Sequence, residues 1–311
     1  MKTVKAVAPY IYRDASNFKF SPYESWVKLG GQTVQAHYPC RALHGLAYHK
    51  ILPTIWKNKK EARIRFVSGY SIYFDTFPDY ALYEVIPFFW DVWPGQVENV
   101  VSFISRHNVR TAFFTSSQTA ERIQKLFPKM NVMYCPEGVN IDLYKKGAPL
   151  NEREVDVLEI GRKNANFFKT PLPENVKYVK TGNFSRVFKS DEDFRNALAN
   201  TKVTISVPRC DVDKEIAGDI ETLTQRYWEC MLSGIVMVGR APKELIDLIG
   251  YNPVIEWDGV DATPLVSDVL CHIEDFQSIV EKNYEAAQRF ASWDIRIKDV
   301  MDYLIEKGYK V

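Results

Sequence analysis

Apolar residues in this chain gather into short runs separated by longer amphipathic stretches. The runs over residues 4–8, 33–37, 64–68, 82–89, 110–114 and 132–135 predict strands. Residues 23–29, 97–107 and 117–127 carry helical spacing, the first stopped by Gly30-Gly31. A second series begins at residue 155, with predicted strands over 155–160, 176–179, 202–207, 235–238 and 254–257 and helices over 191–199, 264–272, 276–290 and 293–307. Strands alternating with helices predict an α/β protein built on doubly wound parallel sheets. The polar segment 145–154, with Gly147 and Pro149, reads as a linker. The expected division is therefore 1–146, 147–290 and a terminal helix within 291–311.

One stretch organises the second series: Asp219-Ile-Glu-Thr-Leu-Thr-Gln-Arg-Tyr-Trp-Glu-Cys-Met-Leu-Ser-Gly-Ile-Val-Met-Val-Gly239. It reads as loop, helix, tight stop and strand. Thr222 and Gln225 have the spacing of a capping box, Gly234 supplies a left-handed stop, and the run from Ile235 to Val238 predicts a strand covered on both faces. Pro242 then opens a short helix that Gly250 closes. Glu221 precedes a helix N-terminus, and Glu229 lies eight residues on. Such a terminus offers N–H donors and partial positive charge to a phosphate. Carboxylates would repel the phosphate but accept hydrogen bonds from hydroxyls, so a ligand bearing phosphates and sugar hydroxyls fits both features. Solvated glutamates on an amphipathic helix are the competing reading.

These residues resemble the donor-binding segment of GT-B glycosyltransferases, in particular the large retaining family with a Glu-x7-Glu spacing. Ser233-Gly234 and Pro242-Lys-Glu-Leu245 are similar to that family. Pro136-Glu-Gly-Val-Asn140 followed by Leu143-Tyr144 resembles its Pro-Asn-Gly-Val-Asp segment, with Glu137 in place of asparagine. Gly161-Arg162-Lys163 matches its Gly-Arg pair, whose arginine reaches the leaving diphosphate. The family's next lysine corresponds to Lys163 or Lys169, with Thr170 where a glycine is usual. Asp91, in Phe88-Phe-Trp-Asp-Val-Trp-Pro94, matches a loop residue facing the donor sugar, with Trp90 and Trp93 as stacking faces. A loop aspartate capping the following helix is the other reading of Asp91.

The resemblance implies two Rossmann-like domains facing a cleft, with a C-terminal helix crossing back to the first. It implies transfer of a sugar from a nucleotide-diphosphate sugar to a hydroxyl acceptor, retaining and metal-independent, with no cofactor. The acceptor would be a saccharide or lipid-linked saccharide in bacterial surface polysaccharide or glycan synthesis. Glu221 would position the donor sugar and Glu229 would bind the ribose. Arg162 and the N–H groups around Thr222, Leu223 and Thr224 would face the diphosphate. A GT-B-like protein that binds a sugar nucleotide or a partner glycosyltransferase without turnover is the alternative.

Composition narrows the field. The chain has 311 residues, 46% hydrophobic and 14% aromatic, enough for a sizeable core. Forty basic and 39 acidic residues leave a charge of +1, which argues against nucleic acid as a partner. Five cysteines, odd in number and without a Cys-x-x-Cys pair, favour reduced thiols and a cytoplasmic location. The N-terminus is too short in apolar residues for a signal peptide, and no run of about 18 apolar residues exists. Residues 41–60, with Arg41, His44, His49, Trp56 and four lysines, would make either a patch peripheral to the inner membrane face or an ordinary amphipathic helix. His37, His44 and His49 lack metal-site spacing, and Asp211-Val-Asp213 is the one Asp-x-Asp weighed as a cation site. No metal is assigned to either. Dinucleotide, P-loop and serine-hydrolase signatures are missing.

Overall fold

The computed structural model describes residues 1–9, 19–35, 58–161, 166–181 and 187–311. The chain forms two compact units, Met1–Glu137 with Glu215–Ile220 and Trp293–Val311, and Gly138–Lys214 with Glu221–Ser292. The first passage between them falls at Glu137, ahead of the segment read as a linker. Residues 145–154 are held inside the second unit. Leu150 is buried, and Arg153 donates to the carbonyls of Ala148 (2.8 Å) and Thr201 (2.7 Å). Burial pushes the Arg153 guanidinium down to about 10.

Twelve strands run through the described residues. Six come first: β1 (Lys2–Val7), β2 (Thr33–Val34), β3 (Glu61–Ser68), β4 (Glu84–Trp90), β5 (Thr111–Phe114) and β6 (Asn131–Tyr134). The second unit holds β7 (Val155–Glu159), β8 (Tyr178–Lys180), β9 (Thr201–Ser206), β10 (Val236–Gly239) and β11 (Ile255–Glu256). The last, β12 (Tyr309–Lys310), returns to the first unit. The sheets run β12-β1-β3-β4-β5-β6, with β2 also on β1, and β11-β10-β9-β7-β8. Every pairing in these two sheets is parallel.

A parallel sheet must be covered on both faces, which explains why β4, β5 and β10 are buried at every position. The pleat sends alternate residues to opposite cores. Phe66, Phe88 and Trp90 join Trp293 in one cluster, whereas Val67 and Phe89 join Phe103 and Ile123 in the other. In the second unit Leu158 and Met237 face one core, and Val157, Val236 and Val238 the other.

Helices complete the covering. The predicted helix near 23–29 spans Phe20–Lys28, and the C-terminal one spans Trp293–Glu306. Both belong to the first unit, where Ser25 and Lys28 donate to Asp294 at 2.6 and 2.5 Å. Two short helices, Ile72–Thr76 and Asp79–Leu82, have too few residues to show a period. Strand β12 escapes the sequence pattern for the same reason. Among the described residues no helix is long and apolar enough to cross a membrane. The segment 36–57, with most of the basic patch and the three histidines named above, lies outside the described residues.

Glu84 ties the strand ends together. It is 3% exposed, pairs with Lys2 of β1, and accepts from the Tyr309 hydroxyl of β12 at 2.6 Å. Burial alone would raise its pKa, but the bonds from Lys2 and Tyr309 prevail and hold it below the ordinary 4.5. A lowered folded pKa means stabilisation that is complete above 4.5 and is lost as pH falls through the folded value. Tyr309→Phe should therefore cost about 1.5–3 kcal/mol, the usual worth of a hydrogen bond to a charged group, read from the urea midpoint at neutral pH. Glu84→Gln should make the decline of that midpoint into acid shallower than in the wild type.

Candidate active site

In the second unit, strand order reverses between β7 and β9, and open parallel sheets bind ligands beyond the carboxyl ends of strands at such a point. The ends concerned are Glu159, Ser206 and Gly239. At Gly239, φ is +140° and a Cβ would stand 2.1 Å from the Ser206 carbonyl oxygen, so only glycine fits. That close approach lets the Arg240 N–H donate to Ser206 (2.9 Å) and the Gly239 carbonyl accept from Trp257 N–H (2.9 Å). Arg240 thereby starts just beyond the sheet edge.

Its guanidinium joins the short helix Arg209–Val212 to the loop carrying Glu221. Nε and Nη2 donate to the two carboxylate oxygens of Asp211, both at 2.7 Å, and Nη1 donates to Glu221 Oε2 at 2.5 Å. Hydrogen bonding to Asp211, and then to Glu221, raises the Arg240 pKa above its ordinary value against the opposing effect of burial. The other oxygen of Glu221 accepts the Lys243 N–H, at the start of the helix Lys243–Ile249. Pro242 and Gly250 bound this helix as the sequence predicts. Asp211 and Arg240 also line a cavity of about 460 Å³ whose walls include Phe167, Val207, Val212 and Trp257. The Phe167 and Trp257 rings meet edge to face at 5.6 Å.

The helix starts later than the Thr222–Gln225 spacing predicts. The helix spans Gln225–Ser233, with Thr224 at the N-cap and no side-chain cap, while Thr222 is buried ahead of it. Ahead of the helix, Glu244 accepts the Leu223 N–H at 2.7 Å. The Leu223 N–H, expected to face a phosphate, is thus given to a carboxylate. Gly234 ends the helix in the left-handed conformation, as expected. Glu229 lies on this helix, accepting from the Tyr144 hydroxyl at 2.9 Å and from Arg226 Nε at 3.2 Å. Burial, then the Glu229 carboxylate, pushes the Tyr144 hydroxyl above its ordinary pKa.

The other predicted residues are distributed more widely. Gly161 follows β7 and its N–H donates to Thr181 Oγ1 at 3.1 Å, while Arg162 and Lys163 lie outside the described residues. The Lys169 and Thr170 N–H groups both reach the Asp261 carboxylate at 3.1 Å, and backbone donation from Thr263 leads the effects that lower the Asp261 pKa. Asp91 belongs to the first unit and follows β4 with φ +51°. The next helix, Pro94–His107, has Trp93 rather than Asp91 at its N-cap. Trp90 and Trp93 are only 2% and 4% exposed, so neither presents a stacking face to a sugar. Trp90 is instead packed against Phe66, Phe88 and Trp293. Asp211 and Asp213 turn to different guanidiniums, Asp213 to that of Arg209 at 2.8 Å.

Arg240 is the residue that sequence reasoning missed. The available signal was a cation placed directly after a buried parallel strand, next to loops carrying Glu221 and Asp211.

No family model matches the chain, and no curated protein matches it in sequence. Solved structures do match. HepE of Anabaena, whose structures contain UDP, UDP-glucose, or UDP and glucose, matches with a TM-score of 0.60 at 10% identity in its UDP and glucose complex, covering 98% of this chain and 100% of that one. A sucrose-phosphate synthase from Thermosynechococcus elongatus matches with 0.60 at 10% identity over 99% of each chain. AviGT4, a glycosyltransferase involved in avilamycin A biosynthesis, matches with 0.57 at 11% identity over 99% of each. These structural neighbours are GT-B glycosyltransferases, and the fold of this chain, two Rossmann-like parallel-sheet units, is theirs.

Gly239→Ala should destabilise the chain by about 2–4 kcal/mol, because both the conformation and the Ser206 contact exclude a methyl group. Urea unfolding of the purified variant measures it.

Proposed function

We propose that this chain is a glycosyltransferase that moves a sugar from a nucleoside diphosphate sugar to a hydroxyl acceptor, with retention and without a metal ion. The observation that carries the reading is Glu221, held at the carboxyl end of the second sheet by the Arg240 guanidinium and the Lys243 N–H. A carboxylate so fixed accepts hydrogen bonds from sugar hydroxyls without reorganising. Glu229 serves the ribose hydroxyls in the same way, and Arg162 neutralises the departing diphosphate. The bond from the sugar's anomeric carbon to phosphate breaks as the bond to the acceptor oxygen forms on the same face, and the acceptor proton passes to the leaving phosphate. Guanidinium and helix-terminal N–H groups supply the positive charge that a cation would otherwise bring. The acceptor is a saccharide or lipid-linked saccharide, reached through peripheral contact of residues 41–60 with a membrane.

The second reading, binding of a sugar nucleotide without turnover, is favoured by one observation: Glu244 already occupies the Leu223 N–H. Thermal unfolding with uridine, guanosine, adenosine and cytidine diphosphates and their sugars, with and without chelator, tests both. A ligand at about 100 times its Kd stabilises by about 2.7 kcal/mol, a shift of several degrees. Uridine diphosphate is expected to give the shift, unchanged by chelator. Glu221→Gln should lower kcat/KM by at least about tenfold, about 1.4 kcal/mol of transition-state binding. Unchanged turnover in that variant would remove Glu221 from the mechanism. Binding of the sugar nucleotide without any release of nucleotide would favour the second reading.

A further inference from the structure

Resting on the glycosyltransferase reading, we infer that Arg240 is the positioning residue for Glu221, and that it determines recognition of the transferred sugar rather than of the nucleotide. Three observations lead there. The first is rigidity. The Arg240 N–H is tied to Ser206, its carbonyl accepts from the buried Tyr227 hydroxyl at 2.7 Å, and Gly239 before it admits no side chain. The side chain therefore springs from a fixed base.

The second is the form of the contact. Asp211 takes the Nε/Nη2 edge of the guanidinium with two bonds of 2.7 Å, which sets its plane, and the third nitrogen then reaches Glu221. A planar fork does this, and the point charge of a lysine does not. One guanidinium between two carboxylates leaves the cluster with a net negative charge. It repels a diphosphate and suits hydroxyl donors. A carboxylate has about four acceptor sites, so oxygens already bonded to Arg240 are still able to take a hydroxyl.

The third is the adjoining cavity of about 460 Å³. It offers the Phe167 and Trp257 rings as an apolar wall, with Arg240 and Asp211 at its edge. The Trp257 Nε1 is buried with no hydrogen-bond partner among the described residues. Aromatic carbon beside charged hydrogen-bonding groups is the chemistry that receives a hexose ring.

The test is calorimetric titration of the full chain with two pairs of probes, UDP with UDP-glucose and GDP with GDP-mannose. In Arg240→Gln, affinity for the sugar nucleotide that the wild type binds should fall at least about tenfold, while affinity for the matching diphosphate stays within about twofold. Arg240→Lys should recover little of the loss. In a Glu221→Gln background, Arg240→Gln should weaken binding no further, since the two act as one unit. Should Arg240→Gln fail to fold by circular dichroism, Asp211→Asn, which frees the guanidinium plane, is measured in its place and should show the same split. Equal losses for diphosphate and sugar nucleotide would make Arg240 a phosphate ligand or a merely structural residue and overturn the inference. So would unchanged affinities, or additive losses in the double variant. A wild-type chain that binds neither pair, nor any adenosine or cytidine diphosphate or sugar in the thermal panel, would overturn the glycosyltransferase reading, and this inference with it.

Discussion

Everything in this structure depends on parallel strand pairing. Strands running the same way cannot be joined by tight turns, so each needs a crossover, and the crossovers bury both faces of each sheet. Central strands then tolerate almost nothing but apolar residues, as β4 and β10 show. Functional polar groups are displaced to the loops where strands end. Ser206, Gly239 and Glu159 mark those ends in the second unit, and the charged cluster around Arg240 lies directly beyond two of them. The glycine is the mechanical key, since its missing side chain lets β10 leave the sheet against the Ser206 carbonyl.

Two arginines show how surroundings separate a structural cation from a functional one. Arg153 is 3% exposed and donates to carbonyls, so burial dominates and lowers its pKa to about 10. Its task is to hold residues 145–154 against β9. Arg240 is half exposed and meets two carboxylates, so charge dominates and raises its pKa. A guanidinium placed where water reaches it, yet bound on three sides, is poorly explained by stability alone, because exposed ion pairs contribute about 0–1 kcal/mol. It is well explained as a fixture for the carboxylates it holds.

Much of the fold was legible in the sequence because parallel strands write themselves as continuous apolar runs. The helix stops at Gly234 and Gly250 were legible because left-handed backbone demands glycine. The start of the helix at Gln225 was not. Thr222 and Gln225 have the spacing of a capping box, but the helix begins at Gln225 with Thr224 at its N-cap. Trp90 and Trp93 failed differently, because aromatic residues at a strand end look alike whether they face a ligand or a core. The pairing of Arg240 with Asp211 and Glu221 joins three separate segments, and no spacing within one segment encodes it.

Both candidate carboxylates accept hydrogen bonds from the protein itself, and this bears on how they would work. Glu221 is held by a guanidinium and a helix-terminal N–H, and Glu229 by a phenol and a guanidinium. A solvated carboxylate would have to shed water and lose rotamer freedom when a sugar arrived. These two have already given up both during folding. Because each retains acceptor capacity beyond its present bonds, an incoming hydroxyl adds to the arrangement instead of dismantling it. The entropy of placing the acceptor group has then been met by the fold, so a larger share of the new hydrogen-bond energy is available for binding the ligand.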